Sequence, residues 1–256
     1  MKRVAIVGGA GRMGQALSAG LSEMSDLAVT VLVDVHEPAQ SFGATYVARL
    51  IDADPGMVDV VVDFSNPDGV VASAKWCAQF ERGLVVGATG LSDEHRAKVE
   101  EASTHTGVVI ASNYSIGAVL SERFAAMAAP YFSRVEIIEL HHDQKIDAPS
   151  GTSLATAKGI VDARRRAHME PLAEPTHRFT LEGTRGGDAG DGVKIHSVRL
   201  PGLVAHQEIL FGGPGEGLTI RHDSFDRSSF VQGVALAVRA VSSSAQLTIG
   251  IDALLA

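Results

Sequence analysis

Within the first 34 residues a short apolar run, spaced glycines, a helical stretch, a second apolar run and an acid follow one another in an order that few folds accommodate. Val4-Ala5-Ile6-Val7 is continuous and apolar, as expected of a strand buried on both faces of a parallel sheet. It runs into Gly8-Gly9-Ala10-Gly11-Arg12-Met13-Gly14, where Gly9, Gly11 and Gly14 fit G-x-G-x-x-G, and residues 15–24 then follow helical spacing. The first glycine permits a tight turn, the second lets backbone approach a pyrophosphate, and the third lets the helix pack close to the strand. Free N–H groups at the helix start then face the phosphates. Residues 27–33 read as a second strand, ending at Asp34, 20 residues past Gly14, where a carboxylate meets ribose hydroxyls. Glycines alone can serve geometry only; the ordered set of strand, glycines, helix, strand and acid points to a bound dinucleotide.

Three more strand-like runs end in small or polar residues. Residues 58–64 lead to Ser65-Asn66-Pro67, residues 83–86 to Gly87-Ala88-Thr89-Gly90, and residues 108–110 to Ala111-Ser112-Asn113-Tyr114. Doubly wound sheets bind ligands at the carboxyl ends of their strands, so these residues are expected to line the nicotinamide half. The competing readings are an ordinary loop for Gly87–Gly90 and a local turn former for Asn113. Asp34 suits ribose hydroxyls and repels a 2′-phosphate. Val35 follows it, and only Arg12 and His36 lie near in sequence to offset that repulsion. NADH is expected to be well accepted, with NADPH open.

Charge and cysteine usage narrow the remaining classes. A net charge of −8 over 256 residues argues against a nucleic-acid partner, which needs a basic footprint. No apolar run reaches membrane-spanning length, and the strand pattern begins within three residues, leaving no room for a signal peptide. A cytoplasmic enzyme is expected. Cys77, the single cysteine, excludes an internal disulfide and is expected to be a buried, inert thiol. The scattered His168, His177, His196, His206 and His222 show no metal-ligand spacing, so no metal is expected.

The chemistry concentrates in Glu139-Leu140-His141-His142-Asp143-Gln144-Lys145-Ile146-Asp147-Ala148-Pro149-Ser150-Gly151-Thr152. A strand over residues 135–140 delivers His141, an imidazole able to give and take a proton near neutrality. Lys145, four residues on, suits proton donation and carboxylate pairing. Ser150-Gly151-Thr152 opens a helix over 153–163, where exposed N–H groups can hold an anion. A structural histidine, a solvated lysine and a simple cap are the bland alternatives. The run Arg164-Arg165-Arg166 reads as the solvated last turn of that helix.

Farther on, the glycine-rich stretch 182–192 reads as a mobile loop or lid. Runs at 193–200, 204–211 and 218–222, joined by short turns, imply antiparallel pairing of consecutive strands. A helix over 228–241, with apolar residues at 230, 231, 234, 238 and 241, is expected to return to the first domain. The expected fold is α/β: a Rossmann-type doubly wound parallel sheet domain (1–114 plus 227–256), and a smaller α+β domain (115–226) for substrate and oligomerisation with a mixed, largely antiparallel sheet. A broad sheet with few covering helices suggests an oligomer.

The motif at 139–152 resembles the signature of the dihydrodipicolinate reductase family. The loop Val4–Gly14 resembles that family's cofactor loop, and Gly87-Ala88-Thr89-Gly90 and Ala111-Ser112-Asn113-Tyr114-Ser115 also match, so the likeness spans nearly the whole chain. It implies reduction of a cyclic dicarboxylate imine, or its hydrated precursor, with NADH or NADPH in lysine and diaminopimelate biosynthesis, by a homotetramer. By the resemblance, His141 is the proton donor/acceptor and Lys145 the proton donor, while His142, Gly151 and Thr152, beside Ser150, hold the substrate carboxylates. Gly8, Gly9, Ala10, Gly11, Arg12, Met13, Asp34, Gly87, Ala88, Thr89 and Ala111–Tyr114 line the cofactor. The family often has a basic residue after the acid on the second strand; Val35 departs from this. Two rival readings are a non-catalytic NAD(H) sensor, which has no use for His141 with Lys145, and another two-domain dehydrogenase. A semialdehyde dehydrogenase of that kind needs a nucleophilic cysteine, and Cys77 is poorly placed for it.

Overall fold

A computed structural model describes residues 1–242 and 244–255. In chain order the elements are β1 (Lys2–Val7), α1 (Arg12–Ser22), β2 (Leu27–Val33), β3 (Thr45–Val47), β4 (Val60–Asp63), α2 (Pro67–Phe80), β5 (Gly83–Val86), α3 (Asp93–Ser103) and β6 (Gly107–Ile110). There follow α4 (Ile116–Ala128), β7 (Arg134–His141), α5 (Gly151–Arg166), β8 (Gly187–Asp188), β9 (Lys194–Arg199), β10 (Ala205–Gly213), β11 (Glu216–Ser224), α6 (Val231–Ala240) and β12 (Gln246–Ile249). The chain divides into two compact units, Met1–Ile116 with Arg227–Ala256, and Gly117–Asp226.

The first unit holds the expected parallel sheet, with strand order β12-β6-β5-β4-β1-β2-β3. Its strands are short and rich in valine because both faces are covered. One core packs Ala5, Val7, Val61, Leu84 and Val86 against Val70, Ala74, Trp76 and Cys77 of α2 and Val99 of α3. On α1, Leu17 and Leu21 are fully buried, and α1 packs against α6. Local chemistry starts and stops the helices. Asn66 caps α2 by accepting from the Gly69 N–H at 3.0 Å with Pro67 in the first turn, and Glu81 ends it in the left-handed region. Ser92 and His95 form a capping box on α3. β3 and β12 extend the sheet at either edge beyond what the sequence pattern indicates.

The second unit holds a mixed sheet in the order β11-β10-β7-β9-β8, largely antiparallel as expected, but its connectivity differs from the sequence reading. β9 and β10 do not pair with each other. β7 lies between them, parallel to β9 and antiparallel to β10. Residues 200–204 therefore arch over the His141 end of β7, held there by the Leu200 N–H donating to the His141 carbonyl at 3.1 Å. The reason is burial. The central place goes to the strand carrying Val135, Ile137 and Glu139 in the core, and the turn at 201–202 cannot announce which neighbour it skips. The glycine-rich stretch is more than a loop, since β8 pairs antiparallel with β9 and forms the sheet edge. Arg164 is another departure. It is only 5% exposed, because its guanidinium donates to the Ala129, Phe132 and Glu170 carbonyls and so closes the end of α4 onto α5. Arg165 pairs with Asp191 at 2.7 Å.

Candidate functional site

In the first unit the strand order reverses at β1, whose two neighbours are β4 and β2, and the crevice lies at the carboxyl ends of β1 and β4. A cavity of about 430 Å³ opens there, lined in part by Gly8, Gly11, Asp34, Val35, Arg49 and Ser65. The left-handed residue of the loop is Gly8 (φ +84°), not Gly9, so the tight turn falls one position earlier than the motif suggests. Gly14 makes the close approach: a Cβ there would stand 2.1 Å from the Gly8 carbonyl oxygen. α1 begins at Arg12 with Gly11 as its N-cap, and a helix's first-turn N–H groups have no intrahelical acceptor. Asp34 reaches back across the loop, its Oδ2 accepting from the Ala10 N–H at 3.0 Å and its Oδ1 from the His36 N–H at 3.2 Å. These features fit a dinucleotide: backbone donors beside a tight turn, and a carboxylate at the next strand end. The structure adds Arg49, which sequence proximity had missed, to the cavity that holds Asp34.

A second cavity of the same unit, about 380 Å³, is lined by Ala88, Thr89, Gly90, Ala111 and Ser112, with Arg96 and Asp252 at its wall. Gly87 precedes it, and a Cβ there would overlap the Phe64 ring at 2.1 Å. Two residues expected to line the cofactor have other employment. Tyr114 is 1% exposed, packs its ring at a 55° tilt against Phe64 with centroids 5.5 Å apart, and donates its hydroxyl to the Val86 carbonyl at 2.8 Å, so only its backbone can face a ligand. Burial raises its phenol far above the ordinary range. Asn113 accepts from the Ser115 N–H at 2.9 Å, the turn-forming role weighed as its alternative. Cys77 is buried, with its thiol pushed up by desolvation and then by Asp63.

In the second unit, His141 ends β7 and sits over Glu139, two residues back on the same strand face. The Glu139 carboxylate is 0% exposed. Its Oε2 lies within hydrogen-bond reach of His141 Nδ1, and it accepts from Arg199 of β9, Nη1 to Oε2 at 3.0 Å and Nη2 to Oε1 at 2.8 Å. Burial alone would raise this carboxyl; Arg199, Ser197 and His141 together outweigh it and hold it below its ordinary value. For the His141 imidazole, burial pushes down, the bond to Glu139 and its charge pull up, and Lys145 and Arg199 push down, so the net is below the ordinary value. Lys145 Nζ donates to both Asp147 oxygens, at 2.7 and 2.8 Å. His142 and Gly151 are exposed, and space is open around Gly151. Ser150 takes the capping role given as its alternative: its buried hydroxyl caps α5, accepting from the Ser153 N–H at 3.2 Å, and α5 starts at Gly151. Gly151 and Thr152 therefore supply first-turn N–H groups of α5. Glu139 and Arg199 received no role from the sequence. The one local signal was the i, i+2 spacing of Glu139 and His141.

Among the described residues, no three His, Cys, Asp or Glu side chains are arranged to hold a metal ion, and no helix is long and apolar enough to cross a membrane. Two family models match this chain: "Dihydrodipicolinate reductase, N-terminus" over residues 2–114 and "Dihydrodipicolinate reductase, C-terminus" over residues 117–255. A protein of Mycolicibacterium gilvum (strain PYR-GCK), named 4-hydroxy-tetrahydrodipicolinate reductase, is 47% identical over 99% of this chain and 98% of its own. A protein of the same name from Nocardia farcinica (strain IFM 10152) is 47% identical over 98% of this chain and 97% of its own. Among solved structures, the dipicolinate-bound dihydrodipicolinate reductase from Paenisporosarcina sp. TG-14 superposes with a TM-score of 0.87 at 38% identity, covering 99% of both chains. Two family models that together span nearly the whole chain, and relatives of this identity and coverage, place the chain in the dihydrodipicolinate reductase family.

Proposed function

We propose that this chain carries out the NAD(P)H-dependent reduction of 4-hydroxy-tetrahydrodipicolinate to tetrahydrodipicolinate in lysine and diaminopimelate biosynthesis, with His141 and Lys145 as its proton-handling groups. The observation that carries the assignment of roles is the imidazole at the end of β7. It is anchored from below by a buried carboxylate and followed within four residues by an ammonium, next to a helix start with open space around Gly151.

The dinucleotide would be held by the Gly8–Met13 loop, Asp34 at the ribose, and Gly87–Thr89 with Ala111 and Ser112 at the nicotinamide half. When bound, the reduced nicotinamide supplies the hydride. The chain supplies orientation and protons. Gly151 and Thr152 N–H groups at the α5 start, with His142, take the carboxylates of a cyclic dicarboxylate, since a helix N-terminus favours anions. His141 gives and takes the proton that quenches charge built up on the ring. Lys145 donates from a position set by Asp147, and its charge also suits a substrate carboxylate. Asp34 supports NADH as a well-accepted cofactor, because its carboxylate opposes a 2′-phosphate; Arg49 in the same cavity keeps NADPH usable. Exposed apolar side chains of the second unit, among them Phe179, Leu181, Leu200 and Phe225, support assembly with further copies through that unit, and the family supports a cytoplasmic homotetramer.

The test is NADH and NADPH oxidation followed by absorbance, with the cyclic substrate made in situ from pyruvate and aspartate semialdehyde. His141→Ala and Lys145→Met should each lower turnover about 100-fold with cofactor affinity nearly unchanged. Absence of oxidation by the unaltered protein with either cofactor ends the assignment; loss of cofactor binding in these variants ends the roles given to the two residues.

A further inference from the structure

A wholly buried carboxylate, paired with a largely covered guanidinium beside a reactive histidine, calls for a reason, because apolar side chains of similar volume would stabilise that position at least as well. Glu139 and Arg199 stand 60 residues apart, on adjacent parallel strands in which Arg199 pairs with His141. The guanidinium grips both Glu139 oxygens, at 3.0 and 2.8 Å, and its Nη2 also donates to the Asp147 carbonyl at 2.8 Å. Asp147 in turn binds Lys145 Nζ through both carboxylate oxygens. One guanidinium therefore links the carboxylate under the imidazole to the loop that bears the ammonium. The charged groups acting on the imidazole are Glu139 on its own strand, Arg199 on β9 and Lys145 on the following loop.

We infer that Glu139 and Arg199 are the positioning pair of this site. Glu139 locks His141 in the tautomer with its proton on Nδ1 and leaves Nε2 to exchange a proton with substrate, while Arg199 sets the place of the Lys145 loop through Asp147. A carboxylate–imidazole contact fixes ring orientation as well as tautomer, and by analogy with metal-bound histidines, where removing the supporting group costs about 10–100-fold, a loss of that order is expected here. The inference rests on the roles proposed above for His141 and Lys145.

The experiment combines histidine ¹⁵N NMR with kinetics on the full chain. In the unaltered protein the neutral His141 ring should carry its proton on Nδ1; a ring protonated on Nε2 overturns the inference without any variant. Glu139→Gln should lower kcat about 10–100-fold with the KM for cofactor unchanged. It should also move the His141 titration midpoint, by NMR and in the kcat/KM profile, to lower pH, because the group that pulls the imidazole up is gone. Arg199→Lys keeps the charge without the fork and should show a smaller loss of kcat with the Nδ1 tautomer retained. If Glu139→Gln melts before it can be assayed, the double variant Glu139→Gln/Arg199→Gln, which leaves no lone buried charge, carries the same kinetic and NMR expectations. A lowered melting temperature with the His141 tautomer, midpoint and kcat all unchanged makes the pair merely structural and overturns the inference. Should the unaltered protein fail to oxidise either cofactor, the proposed function falls while the NMR still decides the tautomer.

Discussion

Gly14→Ala sets two backbone effects against each other, and their sizes decide the outcome. Gly14 is the third residue of α1, where alanine gains about 1 kcal/mol of helix propensity. The added Cβ would stand 2.1 Å from the Gly8 carbonyl oxygen and 2.9 Å from both the Gly8 carbonyl carbon and Gly9 Cα. All three are backbone atoms, so no rotamer relieves the overlap. Ordinary contact begins near ~3.5 Å, so α1 must withdraw from the loop by more than ~1 Å. Overpacking of this kind costs about 1–3 kcal/mol, which cancels or exceeds the propensity gain. The N–H groups proposed to cradle the pyrophosphate move with the helix, and a misplacement of ~1 Å can cost about 100-fold. The expected result is a melting temperature unchanged or lower by ~2–8 °C, by circular dichroism. Calorimetry should show NADH and NADPH affinities weakened together by one to two orders of magnitude, on the order of the loss just given. An NADH Kd within about twofold of the unaltered protein, where 1.4 kcal/mol would be tenfold, refutes the reasoning.

Three further outcomes follow from particular contacts. Asp63, fully buried, accepts from the Ser65 N–H at 2.9 Å and from the Ser65 and Ser73 hydroxyls at 2.6 Å, yet burial holds its carboxyl above the ordinary range. For an acid whose folded pKa is raised, the stability present below its unfolded value, about 4, is lost as pH rises through the folded value. Asp63→Asn should therefore flatten the decline of stability above about pH 4 in urea melts, and a steeper decline contradicts the assignment. Arg164→Met strands the Ala129 and Phe132 carbonyls beyond α4 and the Glu170 carbonyl beyond α5, and should cost about 2–4 kcal/mol in denaturant unfolding, whereas a solvated last turn would change stability by less than ~0.5 kcal/mol. Asp34→Ser should weaken NADH about tenfold, with NADPH affinity held or improved; an unchanged ratio of the two dissociation constants removes Asp34 from the ribose.

What could be read from the chain alone was whatever short-range order determines. The succession of β1, the glycine loop, α1, β2 and Asp34 follows from periodicity and from the places where a side chain cannot fit. The cluster at 139–152 declared itself because all its groups lie within 14 consecutive residues. What only the tertiary structure decided concerns partners distant in sequence. No local pattern says that β9 skips β10 to lie beside β7, and that choice alone delivers Arg199 to Glu139. Charged residues also look alike in sequence whether solvated or buried. Arg164 reads as the outer turn of a helix and proves to be a clasp between helices, while Arg49 lies 15 residues from Asp34 and shares its cavity. Tyr114 and Ser150 carry the same lesson: a hydroxyl's role depends on which carbonyl or N–H the fold places beside it. Sequence reports what a residue can do chemically; burial and neighbouring strands determine which of those capacities remains open to a ligand.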